Sequence, residues 1–219
     1  MEQTQKTSGI ILAGGTSTRL GQDKALIEIQ GEVLIQRVVR TLSALVDQVI
    51  LVTNQPEKLA FLGLPMVGDV YTGASTLGGL HAGLSAIQTT YGLVVGCDMP
   101  FLNAELLRYM ISLCQGDAQM DHSRYDVVIP RIGRYLEPLH AIYARRCQQS
   151  FAEHIASQQD HIRYAFEGMC VRYVEKQEIA HYDPKQRSFF NVNTPDDLER
   201  MWATLARLSA TDPQGFKTL

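Results

Sequence analysis

The 219-residue sequence predicts an α/β fold built on a mostly parallel sheet. Three observations predict it. Short apolar runs recur along the chain, helical patterns fill the gaps between them, and chemistry-bearing polar residues stand directly after the runs. Strands that alternate with helices form βαβ units, whose crossovers force parallel pairing. Ligands of such sheets bind at the carboxyl ends of the strands.

The elements follow in order. Residues 9–13 (GIILA) are an apolar run that stops at Gly14 and Gly15, which reads as a buried parallel strand. Residues 35–45 place Ile35, Val38, Val39, Leu42 and Leu45 at helical spacing. Residues 48–53 (QVILVT), 93–96 (LVVG) and 126–130 (DVVIP) give three more buried strands. Helical patterns cover residues 81–88 and 104–114, the second with Asn103 as its cap. Residues 115–125 read as a polar loop. Residues 131–136 (RIGRYL) read as a hairpin-like turn, so residues 126–143 are expected to include antiparallel strands. Residues 148–159 suit a polar surface helix. Residues 195–208 form a helix with Thr194 as N-cap, Pro195 in the first turn and Asp197 three residues after the cap. We expect a disordered N-terminus over residues 1–8, one domain over 9–208 and a tail over 209–219.

Composition narrows the class. Hydrophobic residues make up 45% and charged residues 20%, so the chain can bury a real core. The formal net charge of -3 argues against general nucleic-acid binding. Cys97, Cys114, Cys147 and Cys170 form no CxxC pair, which argues against a zinc knuckle or a redox motif and for reduced, mostly buried thiols. No apolar stretch reaches membrane-spanning length, and the first residues carry no signal-type apolar segment. A cytoplasmic protein is therefore expected.

The strongest chemical signal is the loop over residues 12–24 (LAGGTSTRLGQDK). Gly14 and Gly15 let the backbone pass close to a phosphate, and successive N–H groups can then point at the anion. Thr16, Ser17 and Thr18 add hydroxyl donors. Arg19 and Lys24 add the charge that neutralises triphosphate oxygens. The loop is neither GxxxxGK[ST] nor GxGxxG. Two glycines after a strand would alone mean an ordinary turn; Arg19, Asp23 and Lys24 move the reading to phosphate binding.

Asp98, in Cys97-Asp98-Met99-Pro100, stands at the end of a buried strand with a proline closing it. That position suits Mg²⁺, which prefers carboxylate oxygens and substrate phosphates. The bland alternative is a helix cap, and Asn103 fills that role better. Asn191-Val192-Asn193-Thr194-Pro195 offers two amides, although turn and cap residues look the same. Glu137-Pro138-Leu139-His140 sets an acid three residues from an imidazole, and spacing alone favours a structural or positioning role. His81 follows Gly78 and Gly79 near the same region, but a lone histidine is more often structural. The other histidines show no metal-ligand spacing, and no nucleophile has an adjacent base.

Taken together, LAGG with Arg19 and Lys24, Asn54 after a strand, Asp69, CDMPFL from Cys97, EPLH from Glu137 and NVNTPDDL from Asn191 resemble the molybdenum cofactor guanylyltransferases of the nucleotidyltransferase superfamily. The resemblance spans residues 9–202. It implies a Rossmann-like α/β fold with helices on both faces of a mostly parallel sheet and a small antiparallel element. It implies an enzyme that binds GTP and Mg²⁺ and joins GMP to the phosphate of molybdenum-bound molybdopterin, releasing pyrophosphate. Leu12, Ala13, Gly14, Gly15 and Gly79 would line the nucleotide, and Lys24 would contact its phosphates. Asn54 and Asp69 would face the base or ribose, and Asp98 would hold the metal with Asn193 sharing it. Arg19, Lys24 and Asp98 would form the catalytic group. Glu137, His140, Arg163 and Asn191 would lie on the pterin side. Molybdoenzyme maturation proteins are further partners that the resemblance implies. Family members commonly carry Gly-Pro where this chain has Ser75-Thr76, which leaves guanine over cytosine open.

In the expected reaction an ionised acceptor phosphate displaces pyrophosphate in line at the α-phosphorus. No strong base is needed, so catalysis comes from positioning and charge neutralisation. Two rivals remain. One is a cytidylyl- or sugar-1-phosphate nucleotidyltransferase of the same superfamily. The other is a non-catalytic GTP-binding cofactor-delivery protein, which would have no need of the Asp98 carboxylate.

Overall fold

The structure is a computed structural model and describes residues 6–14, 20–21, 23–71, 75–115, 125–158, 162 and 164–211. The strands are β1 (Thr7–Leu12), β2 (Glu28–Ile29), β3 (Glu32–Val33), β4 (Val49–Val52), β5 (Met66–Val67), β6 (Tyr91–Gly96), β7 (Val127–Ile132), β8 (Tyr135–Leu136), β9 (His140–Ala144) and β10 (Val171–Glu175). The α-helices are α1 (Leu34–Ser43), α2 (Pro56–Leu59), α3 (Ser75–Ala86), α4 (Ala104–Gln115), α5 (Cys147–Ala156), α6 (Lys176–Tyr182) and α7 (Pro195–Thr211).

The main sheet has the order β10-β7-β9-β6-β1-β4-β5, with β8 paired to β7. β1 is central and pairs in parallel with β4 and β6. A central parallel strand is covered on both faces, which is why its sequence is apolar without alternation. The two faces are visible in two glycines. A Cβ on Gly9 would lie 2.9 Å from Leu42 of α1. A Cβ on Gly83 of α3 would lie 2.5 Å from Ile10, the next residue along β1. Successive residues of β1 therefore meet α1 and α3 on opposite sides, and each contact needs a missing side chain.

β9 is the exception to the parallel pattern. It lies between β6 and β7 and runs antiparallel to both. Together with the β7–β8 hairpin it is the antiparallel element expected from residues 126–143. β2 and β3 form a separate two-stranded sheet. Ile27, Ile29 and Leu34 beside it join Val192, Met201 and Leu205 in a second small core. The segment after the glycine loop is thus held to α7 through Ile27, Ile29 and Leu34 and to the main core through Ala25 and Val33.

Several elements differ from the sequence reading. α3 begins at Ser75, not at residue 81, because Gly78, Gly79 and Gly83 dilute its apolar pattern; Gly79 and Gly83 pack on Leu12 and Ile10. α5 is less polar than expected, since Phe151 is fully buried. α7 runs on to Thr211, past the expected end at residue 208. Its start is as expected. Asp197 N donates to Thr194 Oγ1 at 3.2 Å, and Thr194 N donates to Asp197 Oδ2 at 3.0 Å, a reciprocal cap. Asn103 caps α4 by accepting from Leu106 N at 2.9 Å. The loop over 115–125 falls largely outside the described residues, as do residues 1–5 and 212–219, but Thr7 and Ser8, expected in a disordered N-terminus, are buried in β1, which pairs them with Tyr91 and Gly92. Cys114 and Cys147 are buried, Cys97 is partly covered, and Cys170 is exposed, contrary to the expectation for a mostly buried set. Among the described residues no helix is long and apolar enough to cross a membrane.

Candidate active site

The carboxyl ends of β1, β4, β5 and β6 open on one cleft of about 690 Å³. Leu12, Ala13, Gly14, Lys24, Asn54, Asp69, Gly79 and Asp98 all line it. These residues are scattered over nearly ninety positions of the sequence and were read separately as nucleotide-side candidates. Gly15 and Arg19 belong to the same expected set but lie outside the described residues, as does Arg163.

Backbone bonds fix the cleft floor. Ala13 N donates to Val52 O at 2.9 Å and Cys97 N donates to Leu12 O at 3.1 Å, extending the parallel ladder past the strands. Val192 N donates to Asp98 O at 3.0 Å. That bond brings the NVNTP segment beside Asp98, although the two are far apart in the chain.

Three polar side chains meet there. Lys24 Nζ lies 3.6 Å from Asp98 Oδ2 and donates to Asn193 Oδ1. The Lys24 and Asp98 side chains are only 21% and 17% exposed, so the pair is shielded without being sealed. Burial pushes the Asp98 carboxyl above its ordinary range, and the Lys24 ammonium pulls it back. A carboxylate in that balance is stabilised by any added cation. Asp23 holds the loop in place by accepting from Ala25 N at 3.1 Å, and its other oxygen lies 3.7 Å from Lys58 Nζ. Lys58 on α2 was missed in the sequence, although it follows Asn54 by four residues and lines the cleft. Cys97 is no nucleophile, since burial, with Asp98 beside it, pushes its thiol to about 12.

The β4–β5 side of the cleft is built by Asn54 and Asp69. Asn54 Oδ1 accepts from Asp69 N at 2.8 Å, and Asp69 Oδ1 accepts from Tyr71 N at 2.9 Å. The Asp69 carboxylate also lies over Gly78 in the first turns of α3, where a Cβ would come within 2.6 Å of it. The positive helix end favours an acid there. His81 packs edge-on against Tyr71 at 5.1 Å, and its buried Nδ1 has no partner among the described residues. Burial pushes its pKa down while Asp69 pulls it up.

The residues expected on the pterin side are arranged differently. Glu137 and His140 flank Leu139, which does line the cleft, but neither is itself in the cleft wall. Glu137 is partly buried, and desolvation pushes its carboxyl up. His140 is 0% exposed, packs on Phe189 at 4.8 Å and shares a 2.8 Å hydrogen bond through Nε2 with Ser188 Oγ. That enclosure is compatible with the structural or positioning role that its spacing favoured. Asn191 Nδ2 donates to Phe189 O at 3.1 Å, a bond within its own turn.

His140 gives a pH prediction. Burial lowers its pKa from 6.5 to about 4, so the fold holds a neutral imidazole while the unfolded chain takes up a proton. The stability tied to this neutral state is complete above the unfolded value and is lost as pH falls from 6.5 towards 4. His140→Gln is expected to flatten that acid slope, measured as the urea midpoint across the same window. An unchanged slope would assign the acid sensitivity to other groups.

The model of the MobA-like NTP transferase domain matches residues 9–172. A probable molybdenum cofactor guanylyltransferase of Pelotomaculum thermopropionicum is 37% identical over 193 residues, covering 88% of this chain and 90% of the relative. A molybdenum cofactor guanylyltransferase of Syntrophotalea carbinolica is 31% identical over 193 residues, covering 88% and 89%. The crystal structure of molybdopterin-guanine dinucleotide biosynthesis protein A from Archaeoglobus fulgidus superimposes with a TM-score of 0.77 at 28% identity, covering 91% of this chain and 99% of that one.

Proposed function

Because the chain belongs to the family of the MobA-like NTP transferase domain and is a nucleotidyltransferase, we propose that it transfers GMP from GTP to the phosphate of molybdenum-bound molybdopterin. The observation that carries this reading is the meeting of Lys24, Asp98 and Asn193 at one end of a cleft whose other end is Asn54 and Asp69. A triphosphate laid between them would put its phosphates at the charged end and its base at Asp69. Guanine suits a carboxylate there, because its Watson–Crick edge presents two adjacent N–H donors.

The donor set fits magnesium. Asp98 offers a carboxylate and Asn193 an amide oxygen, both hard ligands. Among the described residues no three His, Cys, Asp or Glu side chains cluster as a closed cage, and Mg²⁺ commonly completes its shell with water and substrate phosphate. Asp98 would hold the ion and Asn193 would share it. When bound, the ion neutralises charge on the phosphate oxygens. The chain's own work is to orient. The glycine loop and Lys24 hold the triphosphate, with Arg19 as a second cation. Asp69 and Asn54 hold the nucleoside, so the α-phosphorus is presented towards the Leu139 side of the cleft. The acceptor phosphate is already ionised, so no side chain has to remove a proton.

A cytidylyltransferase remains as second reading on one observation: Thr76, at the position of the family's proline, lines the cleft. Pyrophosphate release should be measured with each of the four NTPs, with and without molybdopterin. Release with GTP alone among the four, dependent on the acceptor, is the expected result. Release with CTP instead would establish the second reading. No release with any pair would overturn both.

A further inference from the structure

The sheet edge has two halves. Asn54 and Asp69 follow β4 and β5, on one side of Asp98. On the other side lie β9 and then β7 with β8. Because β9 is antiparallel to both β6 and β7, β7 points the same way as β6. The β7–β8 hairpin therefore opens at the same edge as the cleft. It is fastened there: Gly96 N donates to Leu139 O at 3.1 Å, and Glu137 N donates to Pro130 O at 3.2 Å.

The tip of this hairpin sets two exposed side chains against each other. Ile132 pairs with Tyr135 across a two-residue turn, Gly133-Arg134. Gly133 has φ +64, the first-position glycine of a tight turn that matches strand twist. Arg134 stands 5.1 Å over the Tyr135 ring and donates to its Oη at 2.8 Å. Tyr135 is 62% exposed. Among the described residues Arg134 is paired with no carboxylate. Arg131 at the hairpin base differs, because it is paired with Glu175 and its charge is met. Lys24 and Lys58 in the cleft likewise stand beside Asp98 and Asp23.

We propose that this hairpin is a binding platform for the anionic acceptor, with Arg134 and Tyr135 receiving the planar pyrimidinone end of its fused ring system while its phosphate lies at the Asp98 end of the cleft. The proposal rests on the acceptor reading given above. A triphosphate already fills the donor half with negative charge, so a second anion is drawn in over the half that carries an unmet cation. An exposed ring next to a guanidinium can stack on a planar pyrimidinone at little entropic cost, and the guanidinium can donate to its carbonyl. β7 lies two strands from β6, roughly 10 Å across the sheet. That span suits the far end of an elongated acceptor rather than its phosphate.

The test is the double variant Arg134→Ala/Tyr135→Ala, whose two side chains are exposed and leave the core untouched. Molybdopterin is titrated at saturating GTP, then GTP at saturating molybdopterin. The acceptor KM is expected to rise about 10- to 100-fold, the loss of a charge-assisted contact, with the GTP KM and thermal midpoint at wild-type values. Arg134→Lys, which keeps charge but loses the planar fork, should fall between the two. An unchanged acceptor KM overturns the proposal, and so does a parallel rise in both KM values, which would mark a structural role. If the wild-type protein itself releases no pyrophosphate with molybdopterin, the acceptor reading fails and takes the platform with it. The first failures are read in the variant and the last in the wild type, so they are distinguishable.

Discussion

Asp98→Ala is expected to abolish turnover while leaving the fold intact. The carboxylate lies 3.6 Å from Lys24 Nζ, which also donates to Asn193. Its removal would take away the proposed metal ligand, a loss of about a thousandfold or more in kcat, equivalent to roughly 4 kcal/mol of transition-state stabilisation. The fold has little stake in the side chain. The bond from Val192 N goes to the Asp98 backbone carbonyl and survives the change. Burial already disfavours the ionised carboxyl, so its loss removes a desolvation cost along with an ion pair. Circular dichroism and the thermal midpoint check the fold, and pyrophosphate release checks turnover. Near-normal activity at saturating Mg²⁺ would remove Asp98 from the metal site.

Lys24→Ala has the second largest expected effect, and it is of a different kind. In the proposed reaction Lys24 would face the triphosphate in both the bound and the reacting state. The GTP KM should therefore rise and kcat should fall, for a combined drop of about 10²–10³-fold in kcat/KM. Lys24→Arg should not restore it. A guanidinium is broader than an ammonium and would meet Asn193 and Asp98 in a space shaped for a point charge. Unchanged kinetics in the alanine variant would sink the loop as a phosphate holder.

The two variants depend on features that were legible in different ways. The glycine loop and Asp98 each stand directly after an apolar run, burial of that run on both faces is what makes it readable, and Lys24 was carried by its place in the loop. Asn54 was visible for the same reason after β4. The meeting of Asn193 with Lys24 was not visible, because it is made by the bond between Val192 and Asp98 and by the small core of Ile27, Ile29, Val192 and Met201. The start of α3 was hidden because glycines that permit close packing also erase helical periodicity. Lys58 was hidden because one lysine on a four-residue helix has no pattern to carry it.

By itself the sequence determined the strand–helix alternation, the caps of α4 and α7, and the residues that end each buried strand. Those are local matters, set by hydrophobic period, glycine and proline, and side-chain oxygens within a few residues of the groups they bind. Only the tertiary structure decided which of those strand ends share a cleft. It also decided that His140 turns inward to Ser188, and that an inverted β9 brings the Arg134–Tyr135 hairpin to the same edge as Asp98. The reason is physical. Strand order and direction depend on pairings between segments far apart in the chain, and no local pattern records them.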